Sequence, residues 1–585
     1  MPRPLAFLFV PLALAACGDD TPAPTSPMDA SAPLDRPDAT APADAGPFKG
    51  AASVTVRHYD YAIDLATRAV ESRLTLRVER AGDCLTIGFR HPAADSVTFD
   101  GAPARDVMVA NGTLLACDGA RRGWAVGREV TLAVTSTEPL TTMRPTQVGY
   151  SVRTNTAGQR FSYLLSWVGE CARHGPCDAA PSLFATYRFT VTHPEDTRVY
   201  CPGEIQREAA RTVCTFTRPG GPTYSTFGVA AMSGNGWTES SLGESRGVRI
   251  TLADTATSGT ARAVSGEYVR GFLDWMQSTF GPYPYGSELR IIVAPTYWAG
   301  FEHPGSITIA ETLAAGGRVE HTILHEIAHQ WAGDQTTLAA ARDFAWKEAM
   351  VEYLAYVYED QTRTRDEATN SLATWKLSAS RATRYAVPQE DLPLVDWYGS
   401  AYGPGPLVLF RQTEVRFGRE RVLAALRTLL GRERALSMDD VQRALEQSTG
   451  AELGGYIRAW LHGTGAPVWP AVRVAREAVA GGVRVTVTAT TRDGVRRPCR
   501  FRVRLTGDGG RTLDVPVDFG LDGSQPEPVT VTPDFAVTGE VIDPLQEALV
   551  FAEAPAGAMV IEPWPDPDYD PFRAPPPLPG REVWR

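Results

Sequence analysis

The sequence predicts a multidomain α+β protein. Its 585 residues exceed what one hydrophobic core supports, since domains average roughly 150 residues. Short stretches of alternating apolar and polar residues fill the first part of the chain, helical periodicity begins near residue 260, and alternation returns near residue 467. We therefore expect an N-terminal antiparallel β-domain at 51–240, a middle domain at 241–465 and a C-terminal β-sandwich at 466–553.

Each of these domains follows from its local pattern. In the first domain, alternation over segments such as Leu74–Val78 and Ala185–Val191 predicts half-buried strands. In the middle domain, the apolar run Leu289–Val293 predicts a buried strand. Helical periodicity there predicts helices over 261–280, 319–334, 342–360, 405–416, 419–431, 438–447 and 453–461.

The first seventeen residues resemble an export signal. Arg3 supplies a positive charge, an apolar run follows, and Leu14-Ala15-Ala16-Cys17 resembles a bacterial lipobox. We expect a lipoprotein signal peptide at 1–17 with lipidation at Cys17; the alternative is an ordinary secretory signal. Residues 18–50 are rich in Pro, Ala and Asp and predict a disordered linker, and 554–585 form a Pro-rich tail. These features predict a protein of the bacterial cell envelope, held at a membrane by lipid and facing the periplasm or the cell surface.

Composition excludes several classes of protein. Lys and Arg number 57 against 68 Asp and Glu, a net charge of −11, which argues against a nucleic-acid partner. Hydrophobic residues make up 43% of the chain and charged residues 21%, a globular composition. The sequence identifies no partner protein.

Seven cysteines follow Cys17, and an exported protein retains disulfides. Closeness in sequence favours the pairs Cys171–Cys177 and Cys201–Cys214, with Cys84–Cys117 as the remaining pair and Cys499 left alone. Sequence alone does not fix this connectivity. A metal site built from these cysteines is disfavoured because no C-x-x-C occurs.

The segment His325-Glu326-Ile327-Ala328-His329 contains H-E-x-x-H. On a helix, residues four apart share a face, so the two imidazoles can bind one metal ion. Zn²⁺ lowers the pKa of a water molecule that it binds, and Glu326 is placed to take its proton as general base.

Glu348 follows His329 after eighteen intervening residues, within a second predicted helix. Two histidines and one glutamate leave a fourth position open, which is typical of a catalytic zinc site. We therefore expect one Zn²⁺ per chain, bound by His325, His329 and Glu348.

The ligand spacing resembles the gluzincin aminopeptidase family that includes aminopeptidase N. Further segments in the same order resemble elements of that family. They are Pro176-Cys177-Asp178 with Pro181-Ser182, Phe280-Gly281-Pro282-Tyr283-Pro284, Ala299-Gly300-Phe301-Glu302-His303, and Tyr402-Gly403-Pro404-Gly405. The resemblance implies a thermolysin-like catalytic domain at 241–465.

The same resemblance implies roles for individual residues. Glu302 binds the free α-amino group of a peptide, and Tyr402 donates a hydrogen bond to the oxyanion of the tetrahedral intermediate. Tyr398 remains an alternative donor. In the family, a second residue of the N-terminal domain also binds the amine. Near that position this chain has Trp167, and no residue is a clear equivalent.

Two neighbouring residues have open roles. His321 lies four residues before His325 and is either a packing histidine or a fourth ligand. Glu352 lies four residues after Glu348 and either supports a ligand or faces solvent.

Together these features predict a membrane-tethered, exported zinc aminopeptidase, a hydrolase that removes N-terminal residues from peptide substrates. Two alternatives remain: a zinc endopeptidase or amidase, and a catalytically weak peptide-binding lipoprotein. A substrate whose amine is blocked separates the first alternative from an aminopeptidase.

Overall fold

The structure is a computed structural model and describes residues 49–137, 142–143 and 148–553. Cys17, nearly all of the expected linker and the tail at 554–585 lie outside these residues. No helix in the described part of the chain has both the length and the apolar character needed to cross a bilayer.

The β-rich first part has two main sheets and a smaller one. The eight-stranded sheet runs, in spatial order, Glu204–Glu208, Arg211–Pro222, Phe184–Thr192, Ser53–Asp64, Val70–Arg80, Glu129–Ser136, Ser96–Phe99 and Ala102–Pro103. A five-stranded sheet contains Arg198–Tyr200, Gly228–Met232, Arg160–Leu165, Val148–Thr154 and Thr142–Met143, and a three-stranded sheet contains Cys84–Gly88, Thr113–Cys117 and Arg105–Ala110. The expected antiparallel pairing holds except between Ser53–Asp64 and Phe184–Thr192, which run parallel.

Disulfides join the three expected pairs of cysteines in this β-rich part. Cys84 bonds Cys117, Cys171 bonds Cys177 and Cys201 bonds Cys214. Cys84 and Cys117 stand opposite each other on neighbouring antiparallel strands, so strand register alone brings them into bonding range. Cys499 is a buried free thiol.

A mixed five-stranded sheet follows, with Thr238–Ser245, Val248–Asp254, Glu288–Ala294, Ser306–Ala310 and Gly300–Phe301 in spatial order. Glu288–Ala294 includes the strand expected at 289–293. The strand Thr238–Ser245 runs across the expected domain boundary at residue 240 and pairs with this sheet, because its partner Val248–Asp254 follows through a tight turn.

The α-helices are α1 (Thr223–Thr226), α2 (Thr260–Ala263), α3 (Gly266–Phe280), α4 (Val319–His329), α5 (Phe344–Thr362), α6 (Arg365–Ser380), α7 (Gln412–Phe417), α8 (Arg419–Leu429), α9 (Met438–Thr449) and α10 (Gly454–Leu461). A π-helical segment at Pro406–Arg411 precedes α7. Single 3₁₀ turns occur at Cys171–Arg173, Ala341–Asp343, Leu394–Asp396, Tyr398–Ala401 and Asp508–Gly510. Two short strand pairs lie within the helical region. Thr336–Leu338 pairs with Arg434–Leu436, and Val387–Pro388 pairs with His462–Gly463.

Three helix predictions need correction. The helix expected at 261–280 is divided, and Ser265 caps the start of α3 by accepting a hydrogen bond from the Tyr268 amide. The helix expected at 319–334 ends at His329, ahead of Gly333, whose φ of +136° no helix can include. α6 was not expected, because its mostly polar sequence gives a weak helical pattern.

The last described part forms two sheets, as a sandwich requires. One contains Val529–Val531, Gly482–Thr490, Ala471–Val479 and Phe551–Ala552, and the other contains Thr512–Asp518, Arg500–Gly507 and Val537–Ile542. Buried residues of both sheets, such as Val485 and Val503, belong to the same hydrophobic cluster as the helical region.

Candidate active site

The H-E-x-x-H residues lie on α4, and its two histidines share one buried face. His325 Nδ1 donates to Glu352 Oε1 at 3.0 Å, and His329 Nδ1 donates to the Ala332 carbonyl at 2.9 Å. Each Nδ1 therefore carries a proton, and in the neutral imidazole that a metal ion requires the lone pair is on Nε2. The two Nε2 atoms face each other 3.1 Å apart. Two such lone pairs at this separation can both bind one metal ion.

Glu348, on α5, completes the set. Its Oε2 lies 3.3 Å from His325 Nε2 and 3.5 Å from His329 Nε2, and all three side chains are buried. Ligand atoms of a tetrahedral zinc site are about 3.3 Å apart when the bonds are about 2.0–2.1 Å long. The two-nitrogen, one-oxygen set therefore fits Zn²⁺, and the structure brings together the three ligands that the sequence predicted.

Glu326 adjoins this set without belonging to it. Its carboxylate lies within 4.8 Å of the ligand atoms of His325 and His329, and its Oε2 is buried with no hydrogen-bond partner among the described residues. Burial raises the pKa of Glu326 to about 8, with Glu302 and Glu348 adding to the effect while His325 opposes it. A carboxylate whose pKa lies near neutral pH, and whose Oε2 has no hydrogen-bond partner among the described residues, is suited to accept and return a proton.

Gly300 gives Glu326 its space. A Cβ at this position would stand 2.0 Å from Glu326 Oε1, so a side chain there would displace the carboxylate. The edge strand Gly300–Phe301 thus brings backbone against the general-base candidate.

Glu302 follows that edge strand directly and is buried. Gln330, just after α4, donates from its side chain to the Glu302 carbonyl at 3.0 Å and accepts from the Gly305 amide at 2.8 Å. These two bonds fix the loop that carries Glu302 to the end of the helix that carries the histidines. Gln330 carries no signal in the sequence, because only the fold brings the loop of Glu302 to it.

Lys347 is a further residue of the site that the sequence did not predict. Its Nζ lies 2.7 Å from Glu302 Oε1 and 2.8 Å from Glu348 Oε1, with 3% of the side chain exposed. Burial alone would lower the pKa of Lys347, but the two carboxylates hold it well above its usual value. Burial alone would raise the pKa of Glu302, but Lys347 holds it below its usual value. The three groups form a buried, charged chain from the loop to the ligand set.

Tyr402 lines a cavity of about 190 Å³ together with His325 and Glu326. Burial, with a further contribution from Glu348, raises the pKa of Tyr402 well above its usual value, so the phenol keeps its proton. Tyr398 is buried elsewhere, against the rings of Trp167 and Trp298 at 5.1 Å and 6.2 Å between centroids. Of the two tyrosines, Tyr402 has the position of a donor to a bound substrate.

The open roles of Glu352 and His321 are also resolved by their contacts. Glu352 is part-buried and accepts hydrogen bonds from His325, from His321 Nε2 at 3.3 Å and from Trp375 Nε1 at 2.6 Å. His321 Nδ1 reaches Glu359 Oε1 at 2.9 Å, so both of its nitrogens point away from the ligand atoms. Glu352 orients a ligand, and His321 holds Glu352.

These contacts predict a pH-dependent stability. Burial opposes the charged imidazolium, but Glu359 and Glu352 outweigh it and raise the pKa of His321 to about 9. A folded pKa above the unfolded value near 6.5 stabilises the protein fully below pH 6.5, and this contribution is lost as pH rises through 9. We expect His321→Gln to destabilise the protein by roughly 3 kcal/mol more at pH 6 than at pH 10. Thermal melts of both proteins at the two pH values measure the difference.

His462 provides the control. Burial lowers its pKa, so His462→Gln should give no additional loss of stability at pH 6. Equal destabilisation of the His321 variant at both pH values would show that His321 is neutral in the folded protein.

Comparison with known proteins agrees with this geometry. Residues 265–391, which include α4 and α5, match the sequence model of the peptidase family M1 domain. This stretch, about a fifth of the chain, is therefore similar to the peptidase family M1 domain.

Similar proteins include curated M1 relatives and solved structures. Aminopeptidase N of Streptomyces lividans is 26% identical over 338 residues, 52% of this chain and 38% of the relative. Leukotriene A-4 hydrolase of Xenopus laevis is 23% identical over 53% of this chain and 52% of the relative. The chain thus spans about half, or less, of the length of these relatives.

Two solved structures are similar in fold to this chain. The M1 zinc metallopeptidase of Deinococcus radiodurans aligns with a TM-score of 0.58 and 21% identity, over 71% of this chain and 94% of that one. Legionella pneumophila aminopeptidase A aligns with a TM-score of 0.65 and 15% identity, over 86% of this chain and 60% of that one. These TM-scores show a common fold, a mixed α+β arrangement of several sheets.

Proposed function

We propose that this protein is a zinc-dependent aminopeptidase, a hydrolase that removes the first residue of a peptide. The observation that carries the proposal is the convergence of His325 Nε2, His329 Nε2 and Glu348 Oε2 within 3.1–3.5 Å, beside the unpartnered Glu326 carboxylate. A peptidase family M1 domain spanning these residues supports it.

His325, His329 and Glu348 would hold the zinc ion. Zinc bound there would polarise the carbonyl of the scissile bond and lower the pKa of water. Glu326 takes the proton of the attacking water and passes it to the departing amine nitrogen. Tyr402 keeps its phenolic proton and donates to the oxygen on which negative charge develops. Glu302 is the carboxylate at the position proposed to receive the substrate's α-amino group.

Peptides are the proposed substrates. A related structure, the M1 zinc metallopeptidase of Deinococcus radiodurans, is described with a Tyr-Ser-Ala substrate bound. A cavity of about 190 Å³ beside Glu326 and Tyr402 is large enough for one side chain, which supports recognition of a single first residue.

The finer organisation of the chain belongs to the same proposal. We propose a thermolysin-like catalytic domain at 241–465 between an N-terminal β-domain and a C-terminal β-sandwich. Lipid on Cys17 would hold the protein in the bacterial cell envelope. The short apolar segment and the small residues before Cys17 support this anchor.

A panel of aminoacyl-coumarin amides tests the activity. We expect chelator-sensitive release of coumarin from free-amine substrates, restored by zinc, because the three ligands converge on one metal position. Fluorescence assays with and without chelator measure it, with N-acetylated twins in parallel. Absence of turnover from every substrate, with one zinc bound per chain, would favour the peptide-binding lipoprotein instead.

A further inference from the structure

A fixed positive charge lies inside the proposed amine site. Lys347 Nζ is 2.7 Å from Glu302 Oε1 and 2.8 Å from Glu348 Oε1, so the ammonium bridges the two carboxylates. The first carboxylate belongs to the proposed amine site and the second to the ligand set. Removing this buried cation from either partner would leave a buried charge without compensation.

Lys347 is also held in place along its length. Its stem packs against Gly333, where an added Cβ would stand 3.0 Å from Lys347 Cε. The ammonium lies over the rings of Tyr224 and Phe344, 5.6 Å and 5.4 Å from their centroids. The side chain therefore has little room to move aside when a substrate enters.

An incoming α-ammonium would meet this cation at Glu302. The carboxylate already accepts a charge-assisted hydrogen bond, so a second ammonium would share its negative charge and stand close to a like charge. Lys347 thus removes much of the electrostatic advantage that a free amine would otherwise have over a neutral group.

Neighbouring groups do not replace the lost attraction. Asp334, a buried carboxyl near Glu302, is already engaged, since it accepts from Ser225 Oγ at 2.6 Å and from Gln330 Nε2 at 3.2 Å. Trp167, two residues after the strand Arg160–Leu165, packs against Trp298 with 5.8 Å between ring centroids, and its indole carries no negative charge.

We propose that Lys347 is a specificity-determining residue, a built-in cation that pairs with Glu302 and weakens its preference for a substrate ammonium. The site then also hydrolyses amides whose first residue carries a neutral α-hydroxyl in place of the α-amine. A hydroxyl donates to Glu302 and accepts the third N–H of Lys347, which complements the ion pair. This inference rests on the zinc-dependent hydrolysis proposed for the same site.

The reaction on such a substrate is ordinary amide hydrolysis. The carbonyl carbon gains the hydroxyl of water, its C–N bond breaks, and the nitrogen leaves with the proton that Glu326 has carried. The products are an α-hydroxy acid and an amine, and no oxidant or further reactant is needed.

Two matched substrates test the proposal: the coumarin amides of L-leucine and of L-2-hydroxy-4-methylpentanoic acid, which differ only in amine against hydroxyl. The measured quantity is the ratio of their kcat/KM values, amine over hydroxyl, in the wild-type protein and in Lys347→Gln. We expect the variant to raise this ratio by about tenfold or more, because the carboxylate becomes available to an ammonium. Any smaller change overturns the proposal.

A control variant and a binding measurement accompany this test. Lys376→Gln removes another ammonium, part-buried and paired with Asp543 at 2.8 Å, and should leave the ratio unchanged. If Lys347→Gln fails to fold or to hold zinc, calorimetric titration of zinc-loaded wild-type protein with the two free acids decides. Affinities within about tenfold of each other support the proposal, and a stronger preference for L-leucine overturns it.

The titration does not depend on turnover. Absence of chelator-sensitive hydrolysis of any amide would refute the proposed function, whereas the binding preference would still decide the role of Lys347.

Discussion

The Glu326→Gln variant is expected to retain its zinc and to lose kcat/KM by roughly 10²–10⁴-fold. Glutamine has nearly the same shape but cannot accept a proton from the attacking water. Glu326 is only 4% exposed and its Oε2 has no partner among the described residues, so the structure offers no other role for its charge. Hydrolysis of the leucyl-coumarin substrate measures activity, and elemental analysis measures zinc.

A matched control lies on the same helix. Glu320, in the first turn of α4, forms an ion pair with Arg363 and accepts from the Ser265 amide at 2.7 Å. Glu320→Gln makes the same chemical change away from the ligand set and should leave kcat/KM within a few-fold. Full activity of a zinc-bound Glu326→Gln protein would remove Glu326 from the reaction.

The ligand set was predictable because its determinants are local. A spacing of four residues places His325 and His329 on one face of any helix, whatever surrounds it. Glu348 was a weaker prediction, drawn from its place in a second predicted helix and supported by the family resemblance, because its approach to the histidines depends on how α5 packs against α4. Sequence periodicity fixes which face of a helix is apolar, but it does not fix which helix packs against that face.

Lys347 shows where sequence reasoning fails. A lysine next to a ligand on a helix is ordinarily expected to extend into solvent. Its actual partner, Glu302, precedes it by 45 residues and lies on a loop fixed by Gln330. Only the fold brings the two together, and only burial turns their contact into a strong ion pair.

The role of Glu352 was not predictable from sequence for a related reason. Its position four residues after Glu348 places it on the correct face of α5, which allowed contact with His325 but did not require it. Trp375, which donates to it at 2.6 Å, lies on α6. The mostly polar sequence of α6 does not predict that helix, so the cover it provides over Glu352 could not be predicted either.

Replacing Tyr402 with phenylalanine is expected to lower kcat by roughly 10²–10³-fold while KM changes little. The phenol lines the same cavity as His325 and Glu326, and burial together with Glu348 holds its pKa well above the usual range. It therefore remains a donor at any working pH, and its hydrogen bond strengthens as charge develops on the carbonyl oxygen. Steady-state kinetics on the leucyl substrate separate kcat from KM.

Tyr398→Phe distinguishes the two candidate donors. Tyr398 packs within the cluster of Trp167, Trp298 and Phe344, and it does not line the cavity beside Glu326. Loss of its hydroxyl should leave kcat within a few-fold, because the ring contacts remain. The reverse result, a large loss for Tyr398→Phe and little for Tyr402→Phe, would assign the oxyanion donor to Tyr398 and require the loop at 398–405 to rearrange when substrate binds.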